Sequence, residues 1–295
     1  MKRIVLTALP LFVVAATSIF VSAQSKTSAS PSLLYQVTGN GITKPSYIFG
    51  TFHAVCASDM VPLESLDTYI TQTDQLIMEI DMDDAAEMQS MAKAVVIPDG
   101  KTIKDLLTPE QFAKVDEMFK SLLGYSAENV KMVKPAMLTV FVLTSSKSIG
   151  CTPVTYDLSI MQNAAGKKKP IVGLETVGSQ IKVIDSQPLA KQAKDLYEMA
   201  LNPQKSIDEL KQLMAVYKLR DPDKLYELTN RLMTDDKEFQ ARLLDERNTD
   251  WIPKLAAAFK EKPTFVAVGA GHLGGKKGVV NLLRKQGYKV EPVKL

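Results

Sequence analysis

The residues TFVAVGAGHLGG, numbers 264–275, join an apolar segment to a glycine-rich turn. Thr264 to Gly269 is rich in small and β-branched apolar residues, which is typical of a strand buried on both faces of a sheet. Gly269 lets the backbone turn sharply and approach a ligand, and His272 follows three residues later. This stretch therefore predicts a central strand that brings His272 to the edge of a sheet.

A second stretch repeats this pattern near the other end of the chain. Ser46 to Phe52 is apolar, and Gly50-Thr-Phe-His53 matches Gly269-Ala-Gly-His272 in spacing; the chain has no other histidine. Open α/β sheets bind ligands beyond the carboxyl ends of their strands, and imidazole is a common metal ligand and general base. We therefore expect His53 and His272 to converge on one metal ion, the alternative being two unrelated turn histidines.

Around these two strands the pattern predicts an α+β fold: one domain with a central mixed sheet and a large helical insertion packed around it. Further strands are expected at 33–37, 75–81, 170–176 and 289–293, with Asn40-Gly41 as a hairpin turn. Helices are expected at 109–123, 135–148, 188–201, 206–219, 222–233, 236–260 and 278–286.

Two glutamates lie in similar places. Glu79 follows Leu76-Ile-Met78 with Asp81 on the same side of the strand, and Glu175 follows an apolar run that begins at Ile171. A carboxylate in such a run is costly to bury unless it is paired or bound to a metal, although each could instead lie beyond the strand end in water. Two histidines and one or two glutamates at a sheet edge would form a hydrolytic metal site with a position for water.

Arg247 lies on a helical face with Leu243, Leu244 and Trp251. On an apolar face it needs an anionic or carbonyl partner, so it could clamp a site carboxylate or stabilise an oxyanion. The alternatives are a structural ion pair and an arginine that extends its head to water.

The first residues resemble a targeting segment. Lys2 and Arg3 precede an apolar run, and Val21-Ser-Ala23 is typical of a cleavage site before Gln24. We expect residues 1–23 to be a signal peptide, 24–32 a flexible linker and 33–295 the folded domain, with a membrane anchor as the alternative. The mature protein would be exported, periplasmic or extracellular, and not stably inserted in a membrane.

The composition and motifs of the chain argue against some classes of binding partner. The 36 basic and 33 acidic side chains nearly balance, which argues against a nucleic-acid or membrane-surface binder. Gly269 to Gly274 also matches the G-x-G-x-x-G of dinucleotide sites, but no further βαβ units follow, and a histidine occupies the phosphate turn. Cys56 and Cys151 are expected to pair in an oxidising compartment; unpaired thiols or two metal ligands are the alternatives.

Five stretches resemble the TraB/GumN family, which is similar in pattern to the Tiki metalloproteases. They are Tyr47–His53, Met78–Asp81, Gly173–Gln180, Glu246–Trp251 and Val266–Gly275. The resemblance implies an erythromycin-esterase/ChaN-like fold, a divalent-metal site and, for Tiki-like members, cleavage of a peptide bond near the substrate's N-terminus. The residues it implicates are His53, Glu79, Glu175, Arg247, Asn248 and His272.

The resulting hypothesis is an exported hydrolase, a peptidase acting on a peptide or protein. His53 and His272 would bind Mn²⁺, Co²⁺ or Zn²⁺ with one glutamate, and the other glutamate would orient or deprotonate the attacking water. Arg247, assisted by Asn248, would stabilise the oxyanion or position the substrate. The alternative is a non-catalytic protein that binds a peptide signal, haem or metal in the same cleft, or an envelope scaffold. The substrate and the oligomeric state stay open.

Overall fold

The structure, a computed structural model, describes residues 31–233 and 236–295. The expected signal peptide, residues 1–23, lies outside the described residues, as do residues 24–30 of the expected linker. Within the described ranges, no helix is long and apolar enough to cross a membrane.

The strands form a mixed sheet of six and a separate pair. The strands are β1 Leu34–Gly39, β2 Ser46–Thr51, β3 Val55–Cys56, β4 Gln75–Met78, β5 Pro153–Val154, β6 Ile171–Gly173, β7 Thr264–Gly269 and β8 Tyr288–Val293. The six-stranded sheet has the order β6-β4-β7-β2-β1-β8, and β3 pairs with β5. The predicted central mixed sheet is therefore confirmed.

The direction of the strands divides the sheet into two parts. β6, β4, β7 and β2 run parallel to one another, whereas β1 pairs antiparallel with both β2 and β8. The predicted hairpin of the first two strands is confirmed, with Leu34 opposite Phe49. At the centre, β7 pairs in parallel with β2 on one side and β4 on the other.

Helices surround the sheet and form most of the chain between β4 and β7. They are α1 Leu63–Thr71, α2 Ala85–Ala94, α3 Pro109–Leu123, α4 Pro135–Leu143, α5 Ser146–Ile149, α6 Tyr156–Gly166, α7 Val177–Asp185, α8 Leu189–Leu201, α9 Pro203–Lys218, α10 Pro222–Leu232, α11 Lys237–Gln240, α12 Arg247–Glu261 and α13 Val279–Lys285. A π-helical turn, Ala241–Glu246, joins α11 to α12.

Alternation along the central strands produces two cores, one on each face of the sheet. Phe265 and Ala267 of β7 pack towards α1 and α6, and Val266 and Val268 pack towards α12 and α13. A third apolar cluster lies among α3, α4 and α8, away from the sheet. The helical insertion thus has its own core and presents one side to the sheet.

Residues that mark the ends of helices and strands predict the bounds of some elements correctly and those of others incorrectly. α3 has the predicted bounds, because Thr108 caps it, Pro109 occupies its first position and Gly124 ends it in a left-handed conformation. The predicted helix 135–148 is instead two helices, because Thr144 ends α4 and Ser145 caps α5. The predicted strand 75–81 ends at Met78. The prediction also missed α1, α2, α6 and α7.

The two cysteines form a disulfide between positions 95 residues apart. The predicted pairing is therefore confirmed over unpaired thiols and metal ligands. Cys56 ends β3, three residues after His53, and Cys151 follows α5. The bond ties the His53 loop to the helical insertion.

Packing explains Gly274, the last glycine of the nucleotide-like motif, and Gly278 beyond it. A Cβ atom at Gly274 would lie 2.1 Å from the carbonyl oxygen of Pro222, and one at Gly278 would lie 2.2 Å from the carbonyl oxygen of Gly274. These glycines allow close approach of backbone to backbone. No phosphate is needed to account for them.

Gly274→Ala is expected to lower the free energy of unfolding by about 1–3 kcal/mol or more, because the added methyl group would overlap backbone atoms that cannot rotate away. Urea unfolding followed by circular dichroism measures the change. Gly166→Ala is the matched control, because a Cβ there meets nothing within 4 Å. Equal stability of the two variants would contradict the packing argument.

Candidate functional site

Four predicted site residues lie at one edge of the sheet. Glu175, Glu79, His272 and His53 follow the carboxyl ends of β6, β4, β7 and β2, which are neighbours in that order. Because those strands are parallel, their carboxyl ends lie at the same edge. The register therefore brings together side chains that are up to 219 positions apart in the sequence.

Arg247 joins the two glutamates. Its Nη2 donates to Glu79 Oε2 at 2.6 Å and to Glu175 Oε1 at 2.5 Å, and its Nε donates to Glu175 Oε1 at 3.0 Å. Gln180 Nε2 also donates to both carboxylates, at 3.1 and 2.9 Å. The expectation that Arg247 clamps site carboxylates agrees with these contacts.

Both glutamates are buried, so neither projects into water beyond its strand. The exposed fraction is 11% for the Glu79 side chain and 8% for that of Glu175. Burial alone would raise the pKa of Glu79, but the surrounding positive groups, Arg247 among them, and the Gly269 N–H outweigh it and lower the pKa. Glu79 is therefore an anion at neutral pH.

His272 is held in one orientation by Asn248. Asn248 Nδ2 donates to the carbonyl oxygen of Lys277 at 3.0 Å, which turns Oδ1 towards His272 Nδ1 at 2.7 Å. Since Oδ1 can only accept, Nδ1 carries the proton and Nε2 keeps its lone pair. Burial lowers the pKa of His272 to about 3, so the ring is neutral at physiological pH.

His53 has a comparable partner in Asp157. Its Nδ1 lies 3.2 Å from Asp157 Oδ2, and Asp157 Oδ1 accepts from Thr51 Oγ1 at 2.9 Å. The hydrogen bond to Asp157 raises the pKa of His53, although 72% of the His53 side chain is exposed. Both histidines thus have Nδ1 beside an oxygen acceptor, which leaves Nε2 for another partner.

One cavity of about 400 Å³ collects these groups. His53, Glu79, Arg247 and His272 all line it, whereas Glu175 does not. Glu175 instead lines a neighbouring depression with Asp81. Of the two glutamates, therefore, Glu79 alone shares the cavity with both imidazoles.

The donor types at this cavity fit a divalent transition metal. Two imidazoles and a carboxylate are ligands for Zn²⁺, Co²⁺ or Mn²⁺, and both imidazoles have the outer hydrogen-bond partner usual for metal-binding histidines. Over the described ranges, however, no three His, Cys, Asp or Glu side chains are close enough together to hold an ion. Arg247 lies at the centre, with Nη1 3.2 Å from His272 Nε2.

Two contributors escaped the sequence analysis. Asp157 lies 104 positions from His53, and a single aspartate in a helix carries no local signal of such a pairing. Gln180 is the last residue of the Gly173–Gln180 stretch that resembles the family. The sequence analysis therefore included its position but assigned it no role. Asn248 was expected to assist Arg247, but the structure places it against His272.

The imidazole assignments predict two distinct signals in ¹⁵N NMR spectra of metal-depleted protein. His272 should remain a neutral Nδ1–H tautomer from pH 5 to 8, because charging it would leave a buried cation. His53 should titrate above the ordinary histidine value, near 6.5, because Asp157 stabilises its charged form.

Since the chain has only two histidines, the spectrum of a His53→Gln variant identifies each signal. A midpoint near pH 6.5 for His272 would contradict the proposed tautomer and burial.

Arg247→Met is expected to lower the free energy of unfolding by about 3–5 kcal/mol at pH 7, because two buried carboxylates lose their cation. Without Arg247, burial would hold the pKa of Glu79 above its value in the unfolded chain. The loss should therefore be largest at pH 7 and shrink as pH falls towards 4, where protonation removes the repulsion.

Urea unfolding at both pH values measures this difference. Arg242→Met on the neighbouring turn is the control, because Arg242 pairs with an exposed Glu238. A loss for Arg247→Met that does not change with pH would show that packing, and not charge, is what Arg247 contributes.

Comparison with known proteins gives a consistent set of relatives. Metalloprotease TIKI2 of Xenopus tropicalis is 24% identical over 305 residues, which cover 84% of this chain and 57% of the relative. Metalloprotease TIKI1 of Homo sapiens is 24% identical over 307 residues, covering 84% and 59%. A Metalloprotease TIKI homolog of Nematostella vectensis is 23% identical over 316 residues, covering 85% and 65%.

The chain thus spans less than two thirds of the length of these relatives. No solved structure matches the chain. The mixed sheet and the helices around it are observed, and the more specific expectation of an erythromycin-esterase/ChaN-like fold stays a prediction. The sequence profile of the TraB/PrgY/gumN family matches residues 33–292, nearly the whole of the described chain. On this match the chain belongs to the TraB/PrgY/gumN family.

Proposed function

We propose that this protein is a metal-dependent hydrolase that cleaves peptide bonds at the cavity between His53 and His272. The observation that carries the proposal is the hydrogen-bond pattern that the two imidazoles share at Nδ1. Each has Nδ1 beside an oxygen acceptor and lines the same cavity as the ionised Glu79. The metalloprotease relatives support the same class of chemistry at low identity.

We assign the metal ligands to His53, His272 and Glu79. A divalent ion at these donors would supply Lewis acidity and lower the pKa of a bound water. Glu175, predicted as a second ligand or as the base, is assigned a positioning role, because it contacts Arg247 and Gln180 and lies outside the cavity lining.

Arg247 and Asn248 then have separate tasks. Arg247 lines the cavity, and its positive charge can stabilise negative charge that develops on the carbonyl oxygen of a bound peptide. Asn248 holds the His272 ring and its tautomer, so that Nε2 carries the lone pair, which faces Arg247 Nη1 in this structure and would bind the metal. We therefore place Asn248 among the positioning residues.

We also propose that the protein is exported. The Cys56–Cys151 disulfide favours an oxidising compartment. The proposed organisation is a signal peptide at 1–23, a linker at 24–32 and the TraB/GumN-like domain at 33–295. The periplasm and the extracellular space both fit these observations.

Purified protein is expected to hold stoichiometric metal and to cut members of a peptide library in a chelator-sensitive manner. His53→Ala, His272→Ala and Glu79→Gln should abolish cleavage and metal retention while the fold persists, because each removes a ligand. Asn248→Ala should weaken metal affinity by about 10–100-fold. Elemental analysis and mass spectrometry of the digest provide the measurements.

Glu246→Gln is the matched control for Glu79→Gln, because Glu246 is exposed next to Arg247 and does not line the cavity. Its metal content and cleavage should be unchanged. Full cleavage by a folded His53→Ala, His272→Ala double variant would refute the hydrolase.

A second candidate is a non-catalytic protein that binds a peptide signal, haem or metal in the same cavity. The observation that favours it is the apolar lining contributed by the helices, which suits retention of a ligand. Native mass spectrometry of the purified protein distinguishes the two functions. A retained ligand without chelator-sensitive cleavage would support the binder.

A further inference from the structure

The cavity has two chemically different parts. Its ionisable lining residues are His53, Glu79, Arg247 and His272, and they form its floor at the sheet edge. The helical insertion and the π-helical turn supply the walls, which include Val140, Leu143, Leu210, Leu213, Leu225 and Leu243. The walls carry no charge.

The hydroxyl groups of Thr144 and Thr229, which also line the walls, do not make the walls polar. Thr144 Oγ1 donates to the carbonyl oxygen of Val140 at 2.8 Å, and Thr229 Oγ1 donates to that of Leu225 at 2.9 Å. Both protons are therefore used within their own helices. A ligand that touches these walls meets apolar surface without a wall hydroxyl proton to bind.

Shape and exposure indicate that the walls are a binding surface. Val140 is 45% exposed although it is a large apolar residue, and it lies at the cavity. The volume of about 400 Å³ falls in the range of small-ligand pockets, roughly 300–1,000 Å³. A short peptide segment matches that size, and apolar side chains match the uncharged walls.

We propose that the cavity selects peptide substrates with bulky aliphatic side chains beside the bond that is cleaved, with Val140, Leu143 and Leu210 determining the choice. This inference rests on the proposed hydrolase. The peptide carbonyl lies at the charged floor, and the neighbouring side chains enter the apolar walls. Acidic and small polar side chains are excluded, because the walls cannot replace their lost hydration.

The test is a binding measurement that needs no turnover. Acetyl-Leu-Leu-Leu-amide, acetyl-Ser-Ser-Ser-amide and acetyl-Asp-Asp-Asp-amide are titrated by calorimetry into the full protein with chelator present. The leucine peptide should bind at least about tenfold more tightly than the other two, since each methylene in an apolar pocket changes discrimination by about 10–200-fold. Decanoate serves as an acyl-chain probe.

Val140→Lys should lower the affinity for the leucine peptide at least about tenfold, because it places a charge on the wall without disturbing a buried core. Leu210→Lys is the second wall variant. Leu201→Lys is the matched control, because Leu201 is 56% exposed on α8 and does not line the cavity. Its affinity should be unchanged.

Equal affinity for the leucine and serine peptides would overturn the inference, as would an unaffected Val140→Lys variant. Binding of decanoate without binding of the leucine peptide would also overturn it, in favour of an acyl ligand. Cleavage of the peptide library without aliphatic preference would sink this inference and keep the hydrolase. Tight binding of the leucine peptide without any cleavage would sink the hydrolase and leave the apolar recognition in place.

Discussion

Parallel pairing of β6, β4, β7 and β2 is the constraint on which the site depends. Each of these strands ends at the same edge and is followed within three residues by one of the four site residues. A shift of one residue in the pairing of β7 with β2 would turn Val266 and Val268 away from their core, so the apolar pattern holds the register. The same packing that stabilises the sheet therefore positions His53 and His272.

The sequence correctly predicts the elements whose bounds are determined by neighbouring residues. β7 has its predicted bounds because apolar residues run without a break from Thr264 to Gly269. α3 does as well, because a capping threonine, an N-terminal proline and a left-handed glycine mark its ends. The repeated G-x-x-H spacing marked both histidines, and the cost of unpaired buried charge made a site carboxylate one of the partners expected for Arg247.

What was missed depends on contacts between distant segments. Asp157 and Asn248 fix the two rings, but nothing in their neighbouring residues shows which partner each one meets. The π-helical turn that precedes Arg247 is likewise invisible in a pattern of apolar spacing, which does not separate an i→i+5 turn from an ordinary helix. Only the lining of the cavity distinguishes Glu79 from Glu175, because the sequence contexts of the two glutamates are alike.

The position of Arg247, Glu79 and Glu175 favours a functional role for these charges over a stabilising one. A buried ion pair is weak evidence of a stabilising interaction, since apolar residues of similar volume often stabilise a protein as well or better. Here Arg247 and Glu79 lie at the floor of a cavity whose walls are apolar, and Glu175 is buried behind them against Arg247. A charged cluster whose desolvation is costly, placed at the floor of a cavity, favours the proposed site over a purely stabilising role.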